Sequence, residues 1–191
     1  MNTSADRSLR ANRDEILRAI RLLTRQQGIY EVRALGTVPY GHVARGYFDA
    51  SKLDKATALI DAIASTTAAG FYITLNPTEP GSLARASNRL AMERNRTSTS
   101  DKEIVKRQWL PIDCDPIRPV ATDVEHQAAL DRAKKIRAFL RAQDWDEPIL
   151  ADSGNGAHLT YLLDNLPNDD ESTALIKRVL EAQTRCSAIS P

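Results

Sequence analysis

Hydrophobic positions along the chain follow two spacings, one typical of helices and one typical of strands. Apolar residues three and four positions apart predict helices over 12–27, 51–64, 122–143 and from 169 onward, with a shorter helix over 81–91. Short runs rich in β-branched and aromatic residues predict strands over 29–35, 71–75, 108–115, 149–151 and 157–163. The alternation of helices with strands predicts a mixed α+β fold with a small, partly antiparallel sheet.

Local signals predict several element boundaries. Thr122-Asp-Val-Glu125 matches a capping box, which predicts that the long helix starts there, and Asp169 is expected to cap the last helix. The segment Gly154-Asn-Gly156 between two strand patterns predicts a hairpin. After the first strand, turn-forming residues predict a turn-rich connection; these are Gly36, Pro39, Gly41 and Gly46.

Composition narrows the class of protein without identifying a function. The 191 residues are 42% hydrophobic and 27% charged, which is typical of a soluble chain with one domain or two small halves. Two cysteines, Cys114 and Cys186, are too few for a disulfide framework or a four-thiolate zinc site. The polar start and the lack of a long apolar run predict a cytoplasmic protein that does not engage a membrane.

The segment Trp109-Leu-Pro-Ile-Asp-Cys-Asp-Pro carries the first candidate chemistry. Alternation along a strand turns Asp113 and Asp115 away from the core side of Cys114, with Cα atoms about 6–7 Å apart. At an effective dielectric constant near 20, two carboxylates at that separation repel by roughly 2–3 kcal/mol, and a bound divalent cation turns this repulsion into attraction. Oxygen ligands favour Mg²⁺ or Mn²⁺ over zinc. The alternative is an Asp-rich turn whose carboxylates are merely solvated.

A second candidate is the Gly-rich turn before the last predicted strand. Gly154 and Gly156 allow close backbone approach and can direct N–H groups toward phosphate oxygens, while Ser153 and Asn155 add side-chain donors. His158 lies at the start of the strand, on the face opposite its apolar neighbours, where it could donate to a triphosphate. The alternative is an ordinary hairpin turn followed by a packed or solvated histidine.

Taken together, an acidic pair on a strand, a long helix and a Gly-x-His strand resemble the archaeo-eukaryotic primase superfamily. More narrowly, they resemble the bifunctional primase–polymerase domains of phages, plasmids and other mobile elements. The first motif of that superfamily falls on Asp113 and Asp115, and the second falls on Gly156-Ala-His158. Three upstream segments are similar to the amino-terminal half of such domains, so the resemblance covers about 15–180: Tyr30-Glu-Val-Arg33, Gly46-Tyr-Phe48 and Tyr72-Ile-Thr-Leu-Asn-Pro77.

This resemblance implies two halves with the active site in the cleft between them. The implied segments are a disordered start over 1–11, an amino-terminal αβ half over 12–105, an RNA-recognition-like catalytic half over 106–185 and a tail over 186–191. The implied function is template-directed nucleotidyl transfer in the replication of a mobile element. Nucleoside triphosphates and a DNA template are the implied partners, and a helicase encoded downstream is a further candidate.

The resemblance also implies roles for individual residues. Asp113 and Asp115 would hold Mg²⁺ or Mn²⁺ and, with His158, would be catalytic. The residues implied to hold the incoming nucleotide are Ser153, Gly154, Asn155, Gly156, His158 and Arg118.

Two features depart from the superfamily's pattern. Pro111 lies inside the strand of the acidic pair, where it removes a ladder donor. The third motif, a carboxylate on a later strand, has no counterpart before residue 191, so we expect the chain to be a fragment. The alternative function is therefore a catalytically incomplete nucleotide- or DNA-binding fragment. Metal-dependent glycosyltransferases also use Asp-x-Asp, but they do not account for the turn before His158.

Positive charge is concentrated in one stretch, although the net charge is only +1. Between Ser82 and Gln108, seven basic residues stand against three acidic ones. This stretch could follow template phosphates or form an ordinary solvated surface. Arg33 is a further candidate for nucleotide phosphate, whereas Tyr72 and Trp109 are expected in the core or in a site wall rather than as platforms on which bases stack.

Overall fold

The computed structural model describes residues 12–37, 42–65, 68–92, 98–116 and 122–187, with side chains except at 37, 42 and 183–187. The chain forms two compact units, Met1–Val105 and Lys106–Pro191, and each unit has its own antiparallel sheet. Helices and sheets occur in both units, so the predicted mixed α+β class is confirmed. None of the described helices is long and apolar enough to cross a membrane.

The first unit is built on a four-stranded sheet in the order β3-β1-β2-β4. Helices α1 and α2 pack against one face of this sheet, and the core between them buries Tyr30, Val32 and Phe48. The elements are α1 (Arg13–Thr24), β1 (Ile29–Thr37), β2 (His42–Asp49), α2 (Thr57–Ser65), β3 (Gly70–Ile73) and β4 (Ala91–Met92), with short 3-10 helices at Ala50–Lys52, Pro80–Arg85 and Asp101–Glu103.

The connection predicted after β1 is wrong, because residues 42–49 form a strand that pairs with β1. Gly46 lies in the middle of this strand, where a Cβ would clash with the carbonyl oxygen of Arg89. The glycine therefore marks a close approach of two backbones rather than a turn. Pro39 and Gly41 lie outside the described residues.

All three predicted helices of this unit also differ from the structure. The segment predicted as a helix over 51–64 contains the end of the 3-10 helix Ala50–Lys52 and then α2, which begins at Thr57. Helix α1 starts after Asn12, whose side chain accepts from the backbone N–H of Asp14, and it ends at Thr24. It stops short of Gln27 because Arg25 and Gln26 adopt left-handed backbone angles, with φ of 50° and 57°. The helix predicted over 81–91 is replaced by the 3-10 helix Pro80–Arg85 and strand β4.

The second unit has a three-stranded sheet in the order β5-β7-β6. Helices α3 and α4 pack on one face of this sheet, over a core that includes Leu110, Ile112 and Leu159. The elements are β5 (Lys106–Cys114), α3 (Asp123–Arg141), β6 (Ile149–Asp152), β7 (Ala157–Pro167) and α4 (Asp170–Ser187).

Three local predictions for the second unit are confirmed. Thr122 and Glu125 form both hydrogen bonds of the capping box at the start of α3. Asp169 accepts from the backbone N–H of Ser172 at 2.8 Å at the start of α4. Strands β6 and β7 form a hairpin, with Asp152 opposite Ala157.

Pro111 is compatible with this sheet. Strand β5 is at an edge in the order β5-β7-β6, so it has a hydrogen-bonded neighbour on one side. An edge strand tolerates proline because an N–H that faces away from the sheet is not needed in the ladder.

Candidate metal centre

Asp113 is positioned by the pairing of β5 with β7. The register places Asp113 directly opposite His158, on the face of the sheet away from α3 and α4. Its neighbours Ile112 and Cys114 are buried on the opposite face. The alternation predicted for this strand is therefore confirmed, and the carboxylate of Asp113 is exposed.

Asp115 lies one residue beyond the end of β5, and its side chain is also exposed. It lies against the turn at Gly156, where a Cβ would be 2.7 Å from Asp115 Oδ1 and 2.6 Å from the carbonyl oxygen of Cys114. No side chain fits at Gly156 without moving the end of β5. The glycine therefore allows Asp115 to approach the start of β7.

Asp113, Asp115 and His158 come together as one cluster. One ligand atom from each residue lies within 4.8 Å of the others, and His158 Nε2 is 3.3 Å from Asp113 Oδ1. Two carboxylate oxygens and an imidazole nitrogen at these separations could hold a metal ion. The side chains of His158 and Asp113 are 46% and 60% exposed, so both are accessible to solvent.

The Gly-rich turn before His158 is held by hydrogen bonds inside the turn. Ser153 Oγ accepts from the N–H groups of Gly156 at 2.9 Å and Asn155 at 3.4 Å. The N–H group of Gly154 donates to Asp152 Oδ1 at 2.7 Å. These three donors already have acceptors within the turn, so a phosphate would compete with Ser153 and Asp152 for them.

Only one of the two glycines in this turn is required by its backbone angles. Gly154 has φ of 77°, a left-handed backbone conformation that residues other than glycine adopt only at a cost in free energy. A Cβ at Gly154 would meet open space. Gly156 is required by the close approach of Asp115 instead. The two glycines thus have separable roles, one conformational and one steric.

One residue that supports the turn carries no functional signal in the sequence. His126, in the first turn of α3, has its Nε2 atom 2.8 Å from Asp152 Oδ1. The pKa of Asp152 is lowered because the N–H of Gly154 donates to its carboxylate, and His126 adds to this effect. The two residues are 26 positions apart, so no local pattern in the sequence indicates the contact.

Other candidates from the sequence are arginines and two aromatic residues. Arg118 lies outside the described residues, as do Arg94 and Arg96 of the basic stretch. Arg33 lies on β1 in the first unit. Trp109 is buried, whereas Tyr72 is 57% exposed and is therefore not a core residue.

Comparisons of the chain with protein-family models, curated proteins and solved structures found no match. The chemistry of the cluster and the order of the sequence motifs are thus the basis for a functional assignment.

Proposed function

We propose that this chain is a metal-dependent nucleotidyltransferase of the primase–polymerase type that acts in the replication of a mobile element. Its substrates would be nucleoside triphosphates and a primer on a DNA template. The observation that carries the proposal is the cluster of Asp113, Asp115 and His158, with ligand atoms within 4.8 Å of one another. The order of the two sequence motifs that contain these residues supports the same function.

The donor set fits Mg²⁺ or Mn²⁺. Mg²⁺ in enzymes is usually bound by one or two carboxylates together with substrate phosphates and water. Asp113 and Asp115 supply two such carboxylates, and their exposure leaves room for triphosphate oxygens. A divalent ion would also relieve the repulsion between the two carboxylates.

The reaction requires the 3′-hydroxyl oxygen of the primer to bond to the α-phosphorus of the nucleotide. The bond from that phosphorus to the bridging oxygen breaks, pyrophosphate leaves, and the hydroxyl proton passes to solvent. A divalent ion, when bound, would neutralise charge on the phosphates and make the 3′-hydroxyl of the primer more acidic. Asp113 and Asp115 would hold the ion, so their role is to position charge at the reacting phosphate.

His158 has a separate role in this proposal. Its Nε2 atom faces Asp113 Oδ1 and the ring is about half exposed, so a protonated imidazole could donate to the triphosphate. Hydrogen bonds between charged groups are shorter and stronger than neutral ones. Ser153 keeps the turn in place before His158 through its bonds to the N–H groups of Asn155 and Gly156.

Template-directed incorporation of a labelled nucleotide tests the function. Although the third motif has no counterpart before residue 191, one or two carboxylates together with substrate phosphates suffice to bind Mg²⁺, so the purified chain is expected to extend a primer on a homopolymer template with Mg²⁺ or Mn²⁺ and not with EDTA. Asp113→Asn should reduce incorporation at least about 100-fold, because the ion loses a ligand at the reacting phosphate. The control is Asp164→Asn, which changes an exposed aspartate of β7 outside the cluster and should leave incorporation unchanged. Absence of metal-dependent product from the unmodified chain would overturn the proposal.

A further inference from the structure

A cavity of about 310 Å³ lies in the second unit, where the loop that follows α3 meets β7. Its wall consists of Gln143, Asp144, Trp145, Asp146, Tyr161 and Leu162. Tyr161 belongs to the core on the α3 side of the sheet, whereas His158 lies on the opposite face. The cavity is therefore separate from the candidate metal centre.

The loop after α3 has a defined backbone that shapes the cavity. The N–H group of Asp144 donates to the carbonyl oxygen of Arg141, and that of Trp145 donates to the carbonyl oxygen of Leu140, both at 3.1 Å. Asp144 has φ of 61°, a left-handed conformation that aspartate and asparagine adopt more readily than most residues. The Trp145 ring packs edge-on against Tyr161, with centroids 5.3 Å apart. The wall is therefore formed by the fold itself.

Tyr161 brings a buried hydroxyl to this wall, and the hydroxyl has no hydrogen-bond partner within the described part of the chain. The residue keeps only 1% of its surface exposed. Burial raises the pKa of Tyr161, so the phenol stays neutral and its oxygen can accept a hydrogen bond. A buried polar group without a partner costs free energy, and a ligand with an N–H donor would remove that cost.

The charged groups around the cavity favour a cation. Asp144 and Asp146 are exposed, and neither has a basic partner among the described residues. Glu147 pairs with Arg137, so these two charges offset each other. Arg141 lies in the last turn of α3 but does not line the cavity. The C-terminal end of a helix also carries roughly half a negative charge, which favours a cation beside it.

We propose that this cavity binds a primary alkylammonium group, the group that ends a lysine side chain or a free diamine. Such a group has three N–H donors, and the wall supplies three oxygen-bearing acceptors: the carboxylates of Asp144 and Asp146 and the hydroxyl of Tyr161. A tryptophan ring such as that of Trp145 attracts cations more strongly than other aromatic side chains. Leu162, which is 38% exposed, offers apolar surface to the carbon chain of the ligand.

Calorimetric titration of the full chain with putrescine, a four-carbon diamine, tests the site in EDTA at low salt. Saturable binding is expected with a Kd of about 10 mM or tighter, and butanol, which lacks the charge, should not bind. Asp144→Asn and Asp146→Asn should each raise Kd about 3-fold or more, because a charged acceptor is lost. The control Asp54→Asn removes the same charge from an exposed aspartate of the first unit and should leave Kd unchanged.

Tyr161→Phe tests the hydroxyl separately, because it keeps the ring. The variant should raise Kd for putrescine about 2- to 10-fold, and it should leave the affinity for tetramethylammonium, which has no N–H donor, unchanged. Since the hydroxyl has no partner in the described residues, Tyr161→Phe should unfold at the temperature of the unmodified chain or above it. A lower unfolding temperature would assign the hydroxyl a structural role and overturn its role in binding.

A second probe, a capped tripeptide with lysine at its centre, distinguishes the two sources of the group. Competition by this peptide would identify a lysine side chain as the ligand, whereas binding of putrescine alone would identify a free amine.

Two results would overturn the inference: no saturable binding of either probe, or a Kd for putrescine that is the same in Asp144→Asn, Asp146→Asn and Tyr161→Phe as in the unmodified chain. The wall contains no residue of the metal cluster, and EDTA removes divalent ions. Amine binding without metal-dependent incorporation would therefore remove only the catalytic proposal, and incorporation without amine binding would remove only this inference.

Discussion

Asp113 and His158 lie directly opposite each other across the β5–β7 ladder, with Asp113 Oδ1 3.3 Å from His158 Nε2. The two side chains are therefore oriented by backbone pairing rather than by a loop. Asp115 completes the cluster from just beyond the end of β5, at a distance that Gly156 permits. Ligands fixed in this way lose little conformational freedom when an ion binds.

Removal of either carboxylate should leave the fold intact when no metal is present. Asp113 and Asp115 are exposed, they repel each other, and an exposed contact such as that between Asp113 and His158 contributes about 0–1 kcal/mol. We therefore expect Asp113→Asn and Asp115→Asn to have the free energy of unfolding of the unmodified chain in EDTA, or a slightly higher one. Urea denaturation measures this, and a loss of more than about 2 kcal/mol in either variant would assign the carboxylates a structural role.

The two glycines of the turn should respond differently to alanine. Gly154→Ala should reduce stability by about 1–2 kcal/mol because of the positive φ, and leave metal affinity unchanged. Gly156→Ala places a Cβ against Asp115 and the backbone of Cys114, so it should weaken metal binding roughly 10-fold or more. Denaturation in EDTA and a Mn²⁺ titration of both variants separate the effects. Unchanged Mn²⁺ affinity in Gly156→Ala would show that this packing does not position Asp115.

Stability should depend on pH through Glu103 in the first unit. The pKa of Glu103 is lowered because the backbone N–H of Ser100 donates to its carboxylate and Arg85 pairs with it. A carboxyl group whose pKa is lower in the folded chain than in the unfolded chain stabilises the fold at pH values above its unfolded pKa. This stabilisation is lost as the pH falls through the folded pKa.

The difference in unfolding free energy between the unmodified chain and Glu103→Gln should therefore be constant above about pH 6 and should vanish at the lowest pH, where the carboxyl is protonated in both states. Urea denaturation at a series of pH values measures it. A difference that does not change with pH would mean that the charge of Glu103 does not contribute.

A buried carboxylate, Glu31, should be important for the stability of the first unit. Its side chain is fully buried, Oε2 accepts from the backbone N–H of Thr99 at 3.0 Å, and Oε1 lies 3.6 Å from Arg45 Nε. Removal of one partner from a buried ion pair costs about 3–5 kcal/mol, so Glu31→Ala should cost at least about 3 kcal/mol. Glu31→Gln retains an acceptor for Thr99 and should cost less. A loss below about 1 kcal/mol in thermal or urea denaturation of Glu31→Ala would contradict this.

Patterns within one element were predicted well from the sequence. Alternation in β5 depends only on which residues are apolar, and it gives the outward orientation of Asp113. The hairpin of β6 and β7 follows from Gly154-Asn-Gly156, and it places His158 on the same sheet as Asp113. Short-range signals therefore predict both strands, whereas their pairing, which brings Asp113 and His158 together, was implied only by the resemblance to primase–polymerase domains.

Features that depend on distant residues could not be predicted in this way. Glycine is common in turns, so Gly46 was interpreted as part of one. In the structure the backbone of Arg89 lies against it, and this contact between residues distant in sequence forms only when the chain folds. The N–H groups of the Gly-rich turn have acceptors in Ser153 and Asp152, which the glycines alone do not indicate. His126 reaches Asp152 only because α3 starts beside the turn.

The most direct test of the account is a titration of the chain with Mn²⁺, in which electron paramagnetic resonance measures the free ion. Saturable binding is expected for the unmodified chain and for Asp164→Asn, the exposed aspartate of β7. Asp113→Asn and Asp115→Asn should each bind Mn²⁺ at least about 10-fold more weakly, because each variant lacks one of the two carboxylate ligands. Equal affinity in all four proteins, or no saturable binding by the unmodified chain, would contradict the assignment of Asp113 and Asp115 as the ligands of a metal ion.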